Sequence, residues 1–429
     1  MNTKQKTPLR AGLLGEHLSH SFSPRIHKAL VGDRYTYELF ERAPDGLEAF
    51  LRGDEWDAIN VTIPYKQAVM PYLDEISPEA ERIGAVNTIT RLPDGRLRGD
   101  NTDYFGFDHT LKACGVQVRG KKALVLGNGG AAATAVAVLT DRGAEVVLLG
   151  RNEKAVGGII PEPYEGVSER HPDGAIIVNC TPVGMYPRLV GQSPIELKGL
   201  SGVEAVLDMI YNPARTALLQ EAMGLGIPAC NGLLMLVAQA KRAAEIFLGE
   251  DISDDVISPI MDSISRETQN IILIGMPGCG KTTVGTALAK ALHRPLVDTD
   301  AMIVKKAGRS IPEIFAADGE EVFRALETEA VREAGMMSGA VISTGGGVVT
   351  RERNFPPLSQ NGRIVFIHRA TENLPVDGRP LSQATPLSDL YAKRLPLYRA
   401  FAEVDVENNG TVEDTVGKIL SALGYTKGR

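Results

Sequence analysis

Eight residues, GMPGCGKT from Gly275 to Thr282, limit what this chain can fold into more than any other feature. The pattern is G-x-x-x-x-G-K-[ST]. An apolar run, Asn270–Ile274, precedes it, and a helical pattern near Lys281–Leu292 follows. Glycines at these places let backbone N–H groups curl around phosphate oxygens that side chains would block. Gly278, Cys279, Gly280, Lys281, Thr282 and Thr283 are therefore the expected nucleotide contacts, with ATP the expected nucleotide. Lys281 supplies a mobile cation for the terminal phosphates, and the Thr282 hydroxyl is a ligand for Mg²⁺. Strand, phosphate loop and helix in that order imply an α/β domain built on a mainly parallel sheet.

Acids and glycines follow. Asp298 and Asp300 close the short run Leu296–Asp300, and strand alternation predicts that both face one side. Asp298 is expected to hold water on Mg²⁺ and Asp300 to meet an acceptor hydroxyl. Gly345, Gly346 and Gly347 follow the strand Val341–Thr344, where three glycines let a small ligand lie against backbone.

Together these pieces resemble the shikimate kinases, within the nucleoside-monophosphate-kinase-like P-loop proteins. The resemblance runs from Asn270 to about Gly424. It rests on the phosphate loop, Asp298–Asp300, Gly319–Glu327, Ser343–Gly347, Arg379–Leu381 and Lys393–Tyr398. It implies that Asp300, Arg324 and Arg394 bind shikimate beside the three glycines; a forked guanidinium suits the carboxylate. It implies that Arg379, on a lid, reaches the transferred phosphate and joins Lys281 and Asp300 in catalysis. The stretch from Ile367 to Arg379 is short for the family, and a basic residue to stack on adenine has no clear match there.

A second glycine turn lies upstream. GNGGAA, Gly127 to Ala132, follows the strand Lys122–Leu126 and opens an Ala-rich helix, Ala131–Asp141. This fits G-x-G-x-x-A, in which a tight turn and a helix N-terminus receive a pyrophosphate. The next strand, Glu145–Leu149, leads into Arg151 and Asn152, where NAD-binding versions place an acid. A cation there favours a 2′-phosphate, so NADPH/NADP⁺ is the expected cofactor. Gly127, Gly129, Gly130, Ala131, Arg151 and Asn152 are its expected contacts.

Polar residues cluster in otherwise apolar surroundings before that turn. They are Ser21 and Ser23, then Asn60, Thr62 and Lys66, then Asn87, then Asp103. Hydroxyls, amides, one Lys and one Asp suit a polyhydroxylated acid. Here residues 8 to about 250 resemble shikimate dehydrogenase. The resemblance implies that Ser21, Ser23, Thr62, Asn87, Asp103, Tyr211 and Gln239 bind shikimate, and that Lys66 and Asp103 form the catalytic pair. Met209, Gly232 and Met235 would lie near the nicotinamide. The segment Arg151–Asn179 is short for the family, which predicts a trimmed nucleotide lobe.

Length and composition bound the rest. The 429 residues suggest about three compact units. Lys plus Arg is 46 against 53 for Asp plus Glu, a net charge of −7, so no nucleic-acid partner is expected. The four cysteines, Cys114, Cys180, Cys230 and Cys279, are far apart; neither a disulfide scaffold nor a Cys-based zinc site is expected, and a reducing cytoplasm fits. Two uncharged runs, Ala123–Thr140 and Ala222–Ala240, reach membrane-spanning length, but their glycines, amides and proline suit buried strand–turn–helix units.

The expected organisation is a two-lobed α/β dehydrogenase with a Rossmann-type NADP lobe, followed by a P-loop parallel-sheet domain. Residues 1–105 plus 231–255 would form the shikimate-binding lobe and 106–230 the NADP lobe. Residues 256–269 would form a linker and 270–429 the kinase domain. The implied reactions are NADPH-dependent reduction of 3-dehydroshikimate to shikimate, then phosphorylation of shikimate by ATP. Quinate or a related acid as substrate, with a different small-acid kinase, stays open on the sequence. So does a non-catalytic metabolite sensor. Oligomeric state is left open.

Overall fold

The computed structural model describes residues 9–18, 21–370 and 387–425. They form two compact units. The first takes in residues up to 183, 193–211 and 221–263; the second takes in 184–192, 212–220 and residues from 264 onward.

The first unit holds two sheets. One contains β1 (Leu9–Gly15), β2 (Tyr35–Glu41), β3 (Ala58–Val61), β4 (Glu75–Ile76), β5 (Thr88–Arg91) and β6 (Leu97–Asp100). Their order is β2-β1-β3-β5-β6-β4. β1 runs parallel to β2 and β3, whereas β5 is antiparallel to both β3 and β6. Trp56 anchors this core: it is fully buried and its indole N–H donates to the Phe50 carbonyl at 3.1 Å. The other sheet contains β7 (Lys122–Leu126), β8 (Glu145–Leu149), β9 (Ile176–Asn179), β10 (Ala205–Asp208) and β11 (Ala229–Cys230), ordered β11-β10-β9-β7-β8 and parallel throughout. The helix Thr102–Ala113 leaves β6 and leads toward β7, and Leu233–Leu248 packs along it. Between β8 and β9 the described elements include only one short helix, Val167–Arg170, as the shortness of that segment predicts.

The second unit is a five-stranded parallel sheet. It contains β12 (Asn270–Ile274), β13 (Leu296–Asp298), β14 (Val341–Ser343), β15 (Gly362–His368) and β16 (Val404–Glu407), ordered β13-β14-β12-β15-β16. All five residues of β12 are buried, which explains their unbroken apolar character after Asn270. The chain crosses to opposite sides of β12 and of β7, and ligands of open α/β sheets bind at the carboxyl ends of strands where the order reverses. Both glycine turns lie there.

Three expectations change. The residues expected as a linker form the helix Ile257–Thr268, on which Ile257, Ile260 and Ile264 are buried at helical spacing. Cys114 and Cys230 form a disulfide across a separation of 116 residues, against the expectation of free thiols. Cys114 caps the helix Thr102–Ala113 and Cys230 ends β11, and only the tertiary fold joins those places. Finally, Asp300 does not continue a strand. Asp298 ends β13 and caps the helix Thr299–Ala307, its Oδ1 accepting from the N–H groups of Asp300 (3.0 Å) and Ala301 (3.3 Å). No described helix is long and apolar enough to cross a membrane.

Candidate functional site

In the first unit a cavity of about 520 Å³ opens between the two sheets. Its walls include Ser21, Ser23, Thr62, Lys66, Asn87, Asp103, Tyr211 and Gln239, every residue that the sequence assigns to the dehydrogenase substrate. Gly130, Ala131, Met209, Gly232 and Met235 line its nucleotide side. Lys66, on a short helix after β3, donates from Nζ to Asp103 Oδ2 at 2.6 Å. Asp103 stands in the first turn of its helix, whose N-cap is the Asn101 side chain. One ammonium and one carboxylate thus meet at the edge of a pocket otherwise furnished with hydroxyls and amides.

The nucleotide turn fits a pyrophosphate. Gly127 has φ +98°, and a Cβ there would meet Thr181 and Cys180. Nothing stands within 4 Å of a Cβ built on Gly129 or Gly130, and no side chain caps the helix Gly130–Asp141. Its first N–H groups are left for an anion. Asn128 Nδ2 ties this turn to the following loop by donating to Asn152 Oδ1 (2.6 Å) and to the Lys154 carbonyl (3.1 Å). Arg151 is exposed beside it. A neighbouring hollow of about 290 Å³ is lined by Asn128, Gly129, Gly130 and Lys154. Lys154 is a second cation that the sequence reading left out.

Among the described residues of the second unit lies a cavity of about 650 Å³. The phosphate loop lines one end through Gly278, Gly280, Lys281, Thr282 and Thr283. Arg324, Glu327, Arg394 and Gly345–Gly347 line it further along, with Asp298 and Asp300 also on its wall. Cys279 departs from expectation. Its thiol is fully buried in the apolar core and its N–H already donates to the Met276 carbonyl at 3.2 Å, so it does not face the cavity. Lys281 Nζ donates to the carbonyls of Gly275 (2.9 Å) and Met276 (3.0 Å). The Thr282 hydroxyl donates to Asp298 Oδ2 at 3.0 Å, with Ser343 Oγ 3.1 Å from it. Hard oxygen donors at that spacing fit a hydrated Mg²⁺. Arg379 lies outside the described residues.

The acceptor end carries unspent acids. Asp300 Oδ1 and Glu327 Oε1 are both buried without a hydrogen-bond partner. A Cβ on Gly345 would come within 2.7 Å of the first and 2.9 Å of the second, so glycine alone lets both oxygens reach this wall. Burial, reinforced by the charge of Asp298, raises the Asp300 carboxyl above its ordinary range. Burial likewise raises Glu327, against the opposing pull of Arg324 at 2.7 Å. Gly347 is needed for the same kind of reason, because a Cβ there would strike the Arg324 guanidinium at 2.1 Å. Glu327 and Asn60 line the cavities as well; Glu327 closes the motif Gly319–Glu327, Asn60 belongs to the polar cluster with Thr62 and Lys66, and burial beside the ligand walls sets both apart.

Two family models match the chain. The one described as "Shikimate kinase" covers residues 277–424, and the one described as "Shikimate dehydrogenase substrate binding domain" covers 13–89. A shikimate dehydrogenase (NADP(+)) of Clostridium beijerinckii is 41% identical over 248 residues, which is 55% of this chain and 90% of that protein. Among solved structures, shikimate dehydrogenase 1 from Peptoclostridium difficile superposes with a TM-score of 0.54 at 39% identity, covering 59% of this chain and 97% of its own. The Thermus thermophilus shikimate 5-dehydrogenase in complex with NADP(H) and shikimate gives 0.54 at 32% identity, covering 59% and 99%.

Proposed function

Given that the chain belongs to the shikimate dehydrogenase family and carries a shikimate kinase domain behind it, we propose how its two sites perform consecutive steps. The first reduces 3-dehydroshikimate to shikimate, and the second phosphorylates the shikimate 3-hydroxyl. One observation supports both halves: each unit joins a phosphate-ready glycine turn to a cavity wall carrying acid–base groups and hydroxyl partners.

When bound, NADPH supplies a hydride and Mg-ATP a γ-phosphoryl group. At the first site Lys66 Nζ gives a proton to the C3 oxygen as that oxygen gains charge. Asp103 accepts a hydrogen bond from the same ammonium at 2.6 Å and keeps it aimed. Ser21, Ser23, Thr62, Asn87, Tyr211 and Gln239 hold the acid and its hydroxyls. Gly232 lets the helix Leu233–Leu248 start against Met209, since a Cβ there would fall 2.1 Å from the Met209 carbonyl oxygen. Gly127, Gly129, Gly130 and Ala131 receive the pyrophosphate, and Arg151 with Asn152 receives the 2′-phosphate end.

At the second site Asp300 accepts the proton of the 3-hydroxyl, a task that its raised affinity for protons suits. Arg324 and Arg394 hold the carboxylate, beside Gly345, Gly346 and Gly347. Lys281 and the loop N–H groups of Gly278 and Gly280, with Thr283, hold the phosphates, and Thr282 and Asp298 hold Mg²⁺. Arg379 would add its charge at the transferred group. Both reactions belong in the cytoplasm, where NADPH and ATP are supplied.

The test is to assay each half alone, offering shikimate with NADP⁺ and then shikimate with Mg-ATP. NADPH and ADP are the expected products. Tight binding of both nucleotides without turnover would favour a metabolite sensor instead.

A further inference from the structure

Tyr37 belongs to neither cavity wall, yet it stands at the head of a chain of hydrogen bonds that ends at the catalytic helix. It lies on β2, two residues from Tyr35 and on the same face of the strand. Its hydroxyl donates to Asn60 Oδ1 at 2.8 Å. The Asn87 carbonyl, which can only accept, sets the Asn60 amide with Nδ2 toward it, and the Tyr37 hydroxyl holds the opposite end, Oδ1. The amide Nδ2 then donates to Thr88 Oγ1 at 3.2 Å and to the Asn87 carbonyl at 3.4 Å. Thr88 Oγ1 donates to Asn87 Oδ1 at 3.0 Å. Asn87 Oδ1 also accepts the Thr102 N–H at 2.7 Å, and Thr102 precedes Asp103. Three donors in turn point away from Tyr37, and Asn87 Oδ1 accepts both the last of them and the Thr102 N–H, so the network joins Tyr37 to the start of the helix that carries Asp103.

The surroundings of Tyr37 hold its ring still. His27 stacks on it with centroids 4.0 Å apart and planes 14° from parallel. His27 is itself buried, its Nδ1 lies 2.6 Å from the Tyr35 hydroxyl, and its ring faces Phe247 of the helix Leu233–Leu248. Burial lowers its pKa to about 3, so the stack is neutral. Asn60 and Asn87 both line the substrate cavity, so one hydroxyl outside it bears on two groups inside it.

We propose that Tyr37 is a positioning residue of the dehydrogenase site: by holding the Asn60 amide it orders Asn60 and Asn87 for shikimate. The proposal rests on the dehydrogenase reading above. Tyr37 does not line the cavity that would hold substrate and cofactor. Without the Tyr37 hydroxyl, Asn60 Oδ1 loses that donor and the hold on the amide falls to its Nδ2 bonds.

Tyr37→Phe keeps the ring and its stack and removes one O–H. The KM for shikimate should rise about 5- to 10-fold, the loss expected for one hydrogen bond in a buried network. The kcat and the KM for NADP⁺ should stay near the parent values, as should the thermal midpoint. An unchanged KM for shikimate overturns the proposal. So does a parallel rise in both KM values with a lowered midpoint, which would mark a merely structural role. A parent protein inactive on shikimate would instead sink the dehydrogenase reading, so the two failures are told apart.

Discussion

Replacing Lys66 by Met keeps the length of the side chain and removes its ammonium. The parent pair is partly solvated, with 29% of the Lys66 side chain and 15% of the Asp103 side chain exposed. Loss of such a pair costs the fold about 1 kcal/mol. The chemical cost is larger: a positioned general acid contributes about 10²–10⁴ in rate, about 3–5 kcal/mol of barrier. Reduction of 3-dehydroshikimate should therefore slow by about that factor while the unfolding midpoint moves by a few degrees at most. Asp103→Asn should act in the same direction, because the carboxylate aims the ammonium at 2.6 Å. Groups that act as one unit are not additive, so the double variant should be no slower than the slower single one. NADPH oxidation measures the rate, and ADP release from added shikimate serves as a control on the same protein. The kinase cavity shares none of these residues, so its rate should not change. A Lys66→Met enzyme of near-parent rate, or a double variant whose losses multiply, would refute the pairing.

Other consequences are as direct. Asp300 works ionised, and burial raises its carboxyl above the ordinary 3.8, so kinase kcat/KM should fall as pH drops through that raised value. A raised folded-state pKa gives stability that is full in acid and lost as pH rises; Asp300→Asn should therefore hold or raise the neutral-pH midpoint while slowing phosphorylation by about 100-fold or more. Gly232→Ala drives a Cβ to 2.1 Å from the Met209 carbonyl oxygen and 2.6 Å from its carbon, both backbone atoms. That overpacking costs about 1–3 kcal/mol and should lower dehydrogenase kcat/KM by about 5- to 100-fold, measured against an unchanged kinase rate. The Cys114–Cys230 bond closes a span of 116 residues. Its reduction should release two thiols in a thiol titration and destabilise the first unit by up to about 5 kcal/mol, read as a fall in midpoint that Cys230→Ser reproduces.

What the sequence makes legible is local. The apolar run Asn270–Ile274, the glycines after it and the helix from Lys281 lie consecutively, and each imposes its own backbone requirement. The same holds for Lys122–Leu126 and Gly127–Gly130. The substrate residues Ser21 through Gln239 are scattered over more than two hundred positions, and it is the family resemblance, not spacing, that gathers them; the fold places all of them around one cavity. The misreadings share a cause. Alternation fails at Asp300 because the Asp298 carboxylate, two residues earlier, caps a helix and ends the strand. Cys279 belongs to the phosphate loop by motif, yet its small apolar side chain is drawn into the core while its neighbours face the cavity. Cys114 and Cys230 meet only because the helix after β6 passes the end of β11, a juxtaposition that no spacing encodes. Tyr37 escapes a sequence reading for the same reason, since its partner Asn60 lies on another strand, with β1 between them.

The central claim is that one chain runs two consecutive reactions, the product of the first being the substrate of the second. The most direct measurement starts the intact protein on 3-dehydroshikimate with NADPH and Mg-ATP and no added shikimate. Each NADPH oxidised should be matched, after a lag, by one ADP and one 3-phosphoshikimate. NADPH oxidation that leaves shikimate unphosphorylated, or no oxidation at all, would contradict it.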